Sequence, residues 1–458
     1  MTSREKIFKS EARRVAFDLQ HRKTIRFNMS KYDAAVAKGK SHYTNLELAK
    51  KQASSIKEDV LQNLDKYLIQ FEENITKNGA KVIWARDAYE AIAQIVLILK
   101  SNNVRLIVKS KSMTTEEIEF NESMYTIDIE SVETDLGEYI VQVAGEKPYH
   151  IVTPAMHKSK EDIARLFNEK FDTKPDSTPE ELADFVRRKL REKYQLADVG
   201  VTGANFLVAD TGAVSVTENE GNALMSTSFP RIHIVIAGIE KIIPSVKYLS
   251  LLLPLLAVHG TGQQISAYNT LFNGPKKQGE PDGPEKMYVI LIDNGRTHLF
   301  GIDDRYKVLK CIRCGACLNG CPVYRNIGGF TYASTYSGPV GSVITPHFKG
   351  MKEYKHLSFA SSLCGKCTEG FPVKIELHRL LLYNRRDAVA KGYSSVCEKI
   401  GMKGYMAFML NRKFMNIGGK RLKNNAAALA GKILWGTERE MSRFGEPFSK
   451  QWKKANKS

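Results

Sequence analysis

Residues 311–322 read Cys-Ile-Arg-Cys-Gly-Ala-Cys-Leu-Asn-Gly-Cys-Pro. The C-x2-C-x2-C-x3-C-P spacing of this stretch is the pattern with which bacterial ferredoxins ligate iron–sulfur clusters. Three closely spaced thiolates on a tight turn can bind three corners of one cluster, and the fourth Cys, before the proline, serves a second cluster. We therefore predict that Cys311, Cys314 and Cys317 ligate cluster one and that Cys321 belongs to cluster two.

A second copy of the pattern follows, and it is incomplete. Cys364 and Cys367 stand at the right spacing before a proline, but Ser361 and Phe371 occupy the two outer thiolate positions. Because each half of a two-cluster module donates one Cys to the cluster of the other half, Cys321 is expected to join Cys364 and Cys367 at cluster two. Cluster one then lacks the ligand that position 371 would supply.

The missing thiolate leaves the state of the clusters open. Nominally the module holds two 4Fe–4S clusters. Cluster two has three thiolates and can take a serine oxygen or water as its fourth ligand. Three thiolates also suffice for a 3Fe–4S cluster, and one iron of a four-iron cluster can carry a non-protein ligand. Alternatively, cluster one is labile or absent. Cys397 could substitute for the ligand, although a lone Cys is more often a small buried hydrophobic residue. A structural zinc site would leave the x2-x2-x3-Pro run unexplained.

Composition indicates an ordinary globular chain in a reducing compartment. The 458 residues are enough for two or three domains, and 26% of them are charged and 43% hydrophobic. Six of the seven cysteines fall in the two motifs, which favours metal ligation over disulfides and implies a cytoplasmic location. We see no signal peptide, and the apolar stretch Leu249–Val258 contains Pro254 and is too short to be a transmembrane segment.

Positive charge is concentrated near the C-terminus. The chain carries a net charge of +18, and residues 374–458 contain 19 Lys and Arg against 6 Asp and Glu. Such a basic region suits an acidic partner subunit or peripheral contact with anionic lipid, and it can equally be a solvated face. No nucleic-acid motif accompanies the charge, so we expect no nucleic-acid partner.

Strands that alternate with helices predict an α/β domain with a largely parallel sheet, followed by a small helical two-cluster ferredoxin-like module. The predicted helices are 43–76, 85–99, a short one from a capping box at 114–117, 161–167, and one that begins with Thr178 and Pro179. The predicted strands are 104–108, 150–153, 206–209, 213–216, 232–237 and 288–292. The predicted domains are a polar N-terminal arm over 1–42, the α/β domain with leading helices over 43–300, the iron–sulfur module over 301–390 and a basic region over 391–458.

Polar and glycine-rich stretches follow several predicted strands, where the sites of parallel α/β sheets gather. None of these stretches is a G-x-G-x-x-G or a P-loop motif, so no nucleotide cofactor is indicated, and the sequence assigns no catalytic residue. Lys109, Lys111, Lys241 and Arg296 could hold a carboxylate there. The histidines lack metal-ligand spacing, and we expect structural roles for them; they are His150, His157, His233 and His259.

Five stretches jointly resemble the bacterial lactate utilisation protein B family. They are Lys109-Ser-Lys-Ser-Met113, Glu133-Thr-Asp-Leu-Gly-Glu-Tyr139, Gly238-Ile-Glu-Lys241, Asp293-Asn-Gly-Arg296 and Cys311-Ile-Arg-Cys-Gly-Ala-Cys317. The resemblance implies a lactate-utilisation domain with a fold like the sugar-phosphate isomerase and formyltetrahydrofolate cyclo-ligase superfamily, followed by the two-cluster module. It also implies the iron–sulfur subunit of a cytoplasmic complex that oxidises L-lactate to pyruvate with two further subunits, one of them a CCG-type cysteine-rich protein.

The resemblance transfers to the cluster ligands with one exception. It implies Cys311, Cys314 and Cys317 at cluster one and Cys321, Cys364 and Cys367 at cluster two, whereas the seventh cysteine of the family falls at Phe371.

We therefore predict an electron-transfer subunit, with Arg313 and Lys366 inside the cysteine loops as candidates to offset anionic charge. Two alternatives stay open. In the first, the α/β domain itself binds and oxidises a small hydroxy acid. In the second, the chain is a non-catalytic iron–sulfur sensor or scaffold.

Overall fold

A parallel β-sheet lies at the centre of the N-terminal part of the protein. The structure is a computed structural model that describes residues 2–416, 419–435 and 442–456. Its strands are β1 (Lys81–Ala85), β2 (Leu106–Lys109), β3 (Glu130–Glu133), β4 (Val199–Thr202), β5 (Phe206–Val208), β6 (Ala213–Glu218), β7 (Ile232–Gly238), β8 (Ile242–Ile243), β9 (Tyr268–Phe272) and β10 (Lys286–Ile292). Six of them pair in the order β1-β10-β7-β4-β2-β3, and every pair is parallel. The prediction of a largely parallel sheet is confirmed.

Strand β7 shows why this sheet has apolar sequences. All its residues are buried, because alternate side chains enter two different cores. Ile234 and Ile236 pack on one face of the sheet, and Val235 and Ala237 pack on the other. The second face is covered in part by a smaller sheet with the order β8-β5-β6-β9, whose Leu207 lies in the same core.

The predicted strand over 150–153 is wrong. This segment is a turn, in which the ring Nδ1 of His150 accepts the backbone N–H groups of Val152 and Thr153 at 3.1 and 3.2 Å. A β-branched run suggested a strand, but the side-chain hydrogen bonds of His150 satisfy the backbone locally in its place.

The helices of this part lie before and between the strands. They are α1 (Ser3–Phe17), α2 (Leu19–Ser41), α3 (Leu46–Gln62), α4 (Leu64–Lys77), α5 (Ala88–Ser101), α6 (Met113–Glu117), α7 (Phe120–Tyr125), α8 (Leu136–Val143), α9 (Lys160–Phe171), α10 (Pro179–Leu196), α11 (Asn222–Ser228) and α12 (Leu249–Gly260). The predicted capping box at Thr178 is present. Helix α6, however, is capped by Ser112, whose Oγ accepts from the N–H of Thr115, so the predicted capping box at 114–117 is wrong.

The long helix predicted over 43–76 is interrupted at Asn63, which separates α3 from α4. The side-chain amide of Asn63 donates to the carbonyl and carboxylate oxygens of Asp59 at 3.0 and 3.1 Å. Such a local side-chain bond competes with helix continuation.

The prediction of an N-terminal arm over 1–42 is wrong, because α1 and α2 pack against the cysteine-containing module. Phe8 contacts the rings of Tyr332 and His356 with centroid distances of 6.0 and 5.1 Å. Ile25 and Met29 of α2 are buried in the same core. The apolar residues of both helices are sparse, and a Lys- and Arg-rich outer face conceals their spacing in the sequence.

The cysteine-containing module is helical and rich in loops. Two 3-10 segments at Thr297–Gly301 and Asp303–Lys310 lead into it, and its α-helices are α13 (Ala316–Asn319), α14 (Tyr324–Ile327), α15 (Gly338–Phe348), α16 (Met351–Phe359), α17 (Lys366–Glu369) and α18 (Leu377–Ala390). Its core is continuous with residues from α1, α2, α3 and α12. The module therefore shares one hydrophobic core with the segments that precede it.

The chain divides into two compact units, Met1–Ala388 and Val389–Ser458. The described helices of the second unit are α19 (Val396–Leu410), α20 (Arg412–Asn416), α21 (Gly419–Trp435) and α22 (Phe448–Ala455). Among the described residues, no helix combines the length and the apolar character that a membrane span needs. The predicted domain limits stay predictions.

Candidate metal centre and adjoining pocket

The two cysteine motifs have the same backbone conformation, offset by 50 residues. Arg313 and Leu363 both adopt a left-handed conformation, with φ of 61° and 55°, and Gly315 and Gly365 follow with φ of 80° and 83°. A one-turn helix comes next in each copy, α13 in the first and α17 in the second. The predicted internal repeat is thus a repeat of local structure as well as of sequence.

The first copy brings together the three thiols predicted for cluster one. Cys311, Cys314 and Cys317 are all buried. Burial, followed by the neighbouring Cys311 thiolate, raises the pKa of Cys314 to about 12, and burial with Cys311 and Cys314 raises the pKa of Cys317 well above its usual range. Backbone groups of Ala316 and Val340 donate hydrogen bonds to the sulfurs of Cys314 and Cys317.

The other three thiols form a second group that spans both copies. Burial raises the pKa of Cys321, and the thiolate of Cys364 adds to this effect. Burial likewise raises the pKa of Cys367 to about 11, with Cys321 and Cys364 as neighbouring charges. Cys364 is exposed, in contrast to Cys321 and Cys367. Cys317 of the first group also interacts with Cys367, so the two groups are neighbours.

The positions without thiols differ in character. The Oγ of Ser361 accepts the N–H of Leu363 at 3.2 Å, just as the Sγ of Cys311 accepts the N–H of Arg313 at 3.4 Å. Ser361 therefore presents its oxygen where the first copy presents a thiol. Phe371, by contrast, is buried to 1% exposure in the core that contains the first three cysteines.

Thiolates at this spacing are the residues that ligate iron–sulfur clusters. The raised pKa values indicate that the buried thiols would stay protonated without metal, and coordination supplies the positive charge that deprotonates them. The side chain of Cys397 lies outside the described part, so its ligand role stays untested.

A cavity of about 350 Å³ lies between the carboxyl ends of the parallel strands and the first cysteine loop. Its lining comes from the segments after β2, β3, β4 and β7, together with Arg313, Cys314 and Tyr336 of the cysteine-containing module. The segments at the strand ends, which were expected to form a site in the α/β domain, therefore meet the first cysteine loop there.

A buried ionic network contacts Arg313 and Tyr336, two of the side chains that line the cavity. The guanidinium of Arg296 donates to both carboxylate oxygens of Glu117 at 2.8 and 2.9 Å and, through Nε, to Glu240 at 2.5 Å. Glu240 in turn accepts from Nη2 of Arg313 at 3.3 Å, and Tyr336 donates to Glu117. Although burial opposes ionisation, Arg296 and Arg313 hold the pKa of Glu240 at about 2.

Two of the four side chains predicted to hold a carboxylate are committed elsewhere. Lys109 is fully buried and pairs with Glu133 at 2.7 Å, and Arg296 belongs to the ionic network. Neither side chain lines the cavity, so the prediction is wrong for both. Lys111 and Lys241 do line it. Burial, with the nearby Arg313, lowers the pKa of Lys241 to about 8.

Structural roles remain the prediction for the histidines. Burial lowers the pKa of His150, His233 and His259 to about 4, 3 and 4, so these rings are neutral at physiological pH. His157 stacks on Tyr149 and bonds to Glu146 at 2.8 Å.

Sequence reasoning missed Glu117, Tyr336 and the buried position of Arg313. Glu117 is the last residue of the short helix α6, and its partner Arg296 is 179 residues away in the sequence. The guanidinium of Arg313 lies 4.5 Å from the centroid of the Tyr336 ring, and the side chain is buried. The feature of the sequence that could have indicated the role of Arg313 is its position between Cys311 and Cys314.

The parallel-sheet part and the cysteine-containing module each match a known domain family. The LUD domain matches residues 68–292, and the 4Fe-4S dicluster domain matches residues 307–375. The chain is thus a LUD-domain protein with an iron–sulfur module. A crystal structure of a DUF162 family protein from Deinococcus radiodurans shares 15% identity over 50% of this chain and 98% of that chain, with a TM-score of 0.29.

Proteins of similar sequence identify the family to which the whole chain belongs. Lactate utilization protein B from Bacillus velezensis and that from Bacillus subtilis are each 46% identical over 363 residues, which cover 79% of this chain and 76% of the relative. The Anoxybacillus flavithermus protein of the same name is 44% identical over 80% of this chain and 78% of its own. The chain belongs to the lactate utilization protein B family.

Proposed function

We propose that the protein is the iron–sulfur electron-transfer subunit of an assembly that oxidises L-lactate to pyruvate. The observation that carries the proposal is the pair of thiol groups, each with three cysteines, on a duplicated loop. The names of the relatives support the link to lactate utilisation. The match to a 4Fe-4S dicluster domain supports iron–sulfur cofactors.

The proposed ligands are Cys311, Cys314 and Cys317 for cluster one and Cys321, Cys364 and Cys367 for cluster two. Bound clusters accept and donate single electrons, and two of them match the two electrons that lactate oxidation releases. The chain tunes this chemistry through hydrogen bonds to sulfur, burial and nearby charge. Arg313 contributes the nearby charge, since its guanidinium is buried and interacts with Cys311.

The two thiol groups face different surroundings. Cys314 lines the internal cavity, whereas Cys364 is exposed to solvent. This difference supports an arrangement in which a small molecule approaches the first group and a partner protein approaches the second. The partners that we propose are the other lactate-utilisation subunits, including a CCG-type cysteine-rich protein, in the reducing environment of the cytoplasm.

Anaerobic purification tests the proposal. Iron and acid-labile sulfide counts with EPR spectra should reveal iron–sulfur centres, and stoichiometric zinc without sulfide would refute them. L-lactate should then reduce these centres only after the partner subunits are added. Reduction by L-lactate in the isolated chain would instead assign lactate oxidation to the α/β domain. Centres that no combination of subunits reduces would leave a sensor or scaffold.

A further inference from the structure

We propose that the cavity beside Cys314 is a binding site for a small organic carboxylate, held by Lys241 and Arg313. The site deepens the proposed function, and it rests on that function for the cluster at the neighbouring cysteines. Neither the domain match nor the names of the relatives assign a ligand to this cavity.

Lys241 is the strongest evidence for an anion. The residue is only 9% exposed and lines the cavity. Among the described residues, its ammonium group has no hydrogen-bond acceptor or ion-pair partner within bonding distance. A buried charge is costly unless it is paired. Lys57 is also buried, but its ammonium group donates to the carbonyl oxygens of Glu240 and Ile242 at 2.6 and 3.2 Å. Lys241 has no such acceptor among the described residues.

Arg313 supplies a second unused donor in the same wall. Its Nη2 bonds to Glu240, but its Nη1 is buried without a hydrogen-bond partner among the described residues. The side chain is 8% exposed and stacks over Tyr336, which fixes the guanidinium plane. A carboxylate can accept hydrogen bonds from an arginine and a lysine at once.

The charge of the surrounding network favours an anion as well. Glu117 and Glu240 provide two negative charges, and Arg296 alone pairs with both of them. Arg313 and Lys241 are additional cations in this buried region. Within this buried network alone, three cations stand against two carboxylates, and the one extra positive charge can be balanced by an anion in the cavity or by the negative charge of a cluster at Cys311. The experiment below separates these two explanations.

Three carboxylates also line the cavity, those of Asp135, Glu218 and Glu220, and each of them accepts at least one backbone N–H. Asp135 accepts the N–H of Glu138 as the cap of α8, and it lies 3.6 Å from Lys111. Glu218 accepts the N–H groups of Ala223 and Leu224 at 2.6 and 3.1 Å. Among the described residues, none of these acids forms an ion pair with Lys241.

Neutral donors in the wall point to a ligand with a second polar group. Asn205 and Asn222 both line the cavity, and within the described residues neither side-chain NH2 group has an acceptor. Their carbonyl oxygens are used, because each accepts a backbone N–H, from Thr217 and Ala223 respectively. A carboxylate with a neighbouring hydroxyl or carbonyl oxygen would use both kinds of donor. The volume of about 350 Å³ suits a small ligand.

The test uses the full-length chain, purified anaerobically with its clusters, and titrates it with L-lactate by calorimetry. Pyruvate, acetate, inorganic phosphate and chloride are parallel ligands. Loss of one charge-assisted hydrogen bond predicts that Lys241→Met weakens L-lactate binding about 10-fold or more. Lys241→Arg should retain most of the affinity. Lys247→Met is the matched control, because Lys247 is exposed and outside the cavity, and its affinity should equal that of the wild type.

Asn222→Asp is a second variant for the case that Lys241→Met fails to fold, since a new carboxylate in the wall should also weaken binding. Equal affinity of Lys241→Met and Lys247→Met for L-lactate would overturn the proposal, as would binding of phosphate or chloride alone. A change in cluster potential without a change in anion affinity would show that Lys241 balances the cluster, and this too would overturn it.

Iron and sulfide counts on the same samples keep this inference separate from the proposed function. Intact clusters without carboxylate binding would refute only the cavity site. Carboxylate binding by a chain that holds no cluster would refute the cofactor assignment and leave the site in place.

Discussion

Replacement of Phe371 by cysteine tests the incomplete second motif directly. Phe371 is buried in the core that contains the first thiol group, at the position where the repeat pattern has a thiolate. Truncation of a buried Phe to Ala costs about 3–5 kcal/mol, and Cys retains one more heavy atom than Ala. We therefore expect Phe371→Cys to destabilise the metal-free chain by about 3 kcal/mol and Phe371→Ala by slightly more.

Metal content should separate the two variants. If cluster one has three irons, Phe371→Cys should gain about one iron per chain, and its three-iron EPR signal should become a four-iron signal. If cluster one is absent from the wild type, the gain should be about four irons and four sulfides. Phe371→Ala creates a similar cavity without a thiol, so it should gain no iron.

Iron and sulfide analysis with EPR on anaerobic samples measures this outcome, and urea unfolding of the metal-free chains measures the destabilisation. Equal metal content and equal spectra for Phe371→Cys and Phe371→Ala would refute the reasoning. That result would mean that the side chain at 371 does not reach cluster one, or that another group already completes it.

Three further predictions address the ionic network, the crossed ligands and the second unit. Arg296→Met leaves the buried carboxylates of Glu117 and Glu240 without their main partner, so urea titrations should show an unfolding free energy lower by about 3–5 kcal/mol. The control Arg86→Met removes an exposed ion pair and should leave the unfolding free energy unchanged. Cys321→Ser should abolish the EPR signal of the second centre and Cys311→Ser that of the first; loss of the same centre in both would contradict crossed ligation. A chain truncated after Ala390 should keep its iron but bind the partner subunits more weakly, because it lacks the basic residues of the C-terminal region. The difference in affinity should be largest at low salt, where charges are least screened. Equal affinity of the truncated and full-length chains would contradict this prediction.

The sequence predicted the parts of the fold that depend on local pattern. Strand β7 is a continuous apolar run, and the Thr178 capping box contains both of its partners within four residues, so both are readable without tertiary information. Strand β1 was missed, because the short segment between the predicted helices 43–76 and 85–99 was assigned no element. The packing of α1 and α2 was also missed, since their few apolar residues acquire meaning only against the module that they cover.

The cysteines of the candidate site could be predicted from the sequence, because their spacing along the chain is itself the signal. The spacing of the six cysteines predicts which thiols share a cluster, and that assignment stays a prediction. The structure places Cys317 beside Cys311 and Cys314, and Cys367 beside Cys321 and Cys364. Charged side chains do not carry such information. Lys109 ends β2 and Lys241 follows β7, yet Lys109 pairs with Glu133, whereas Lys241 has no ion-pair partner among the described residues. The partner that distinguishes them depends on the three-dimensional fold, so the sequence treated them alike.

The left-handed backbone conformation of the cysteine loops does not explain why residue 313 is an arginine. A left-handed conformation costs a non-glycine residue roughly 1–2 kcal/mol, and both Arg313 and Leu363 adopt it. The strained backbone therefore belongs to the loop and does not require an arginine. The guanidinium has a separate reason, since it lies against Glu240, Tyr336 and Cys311 at once. Because Arg313 also lines the cavity, any anion that binds there changes the charge that Cys311 experiences. Ligand occupancy and the electrostatics of the first thiol group are then coupled through one side chain.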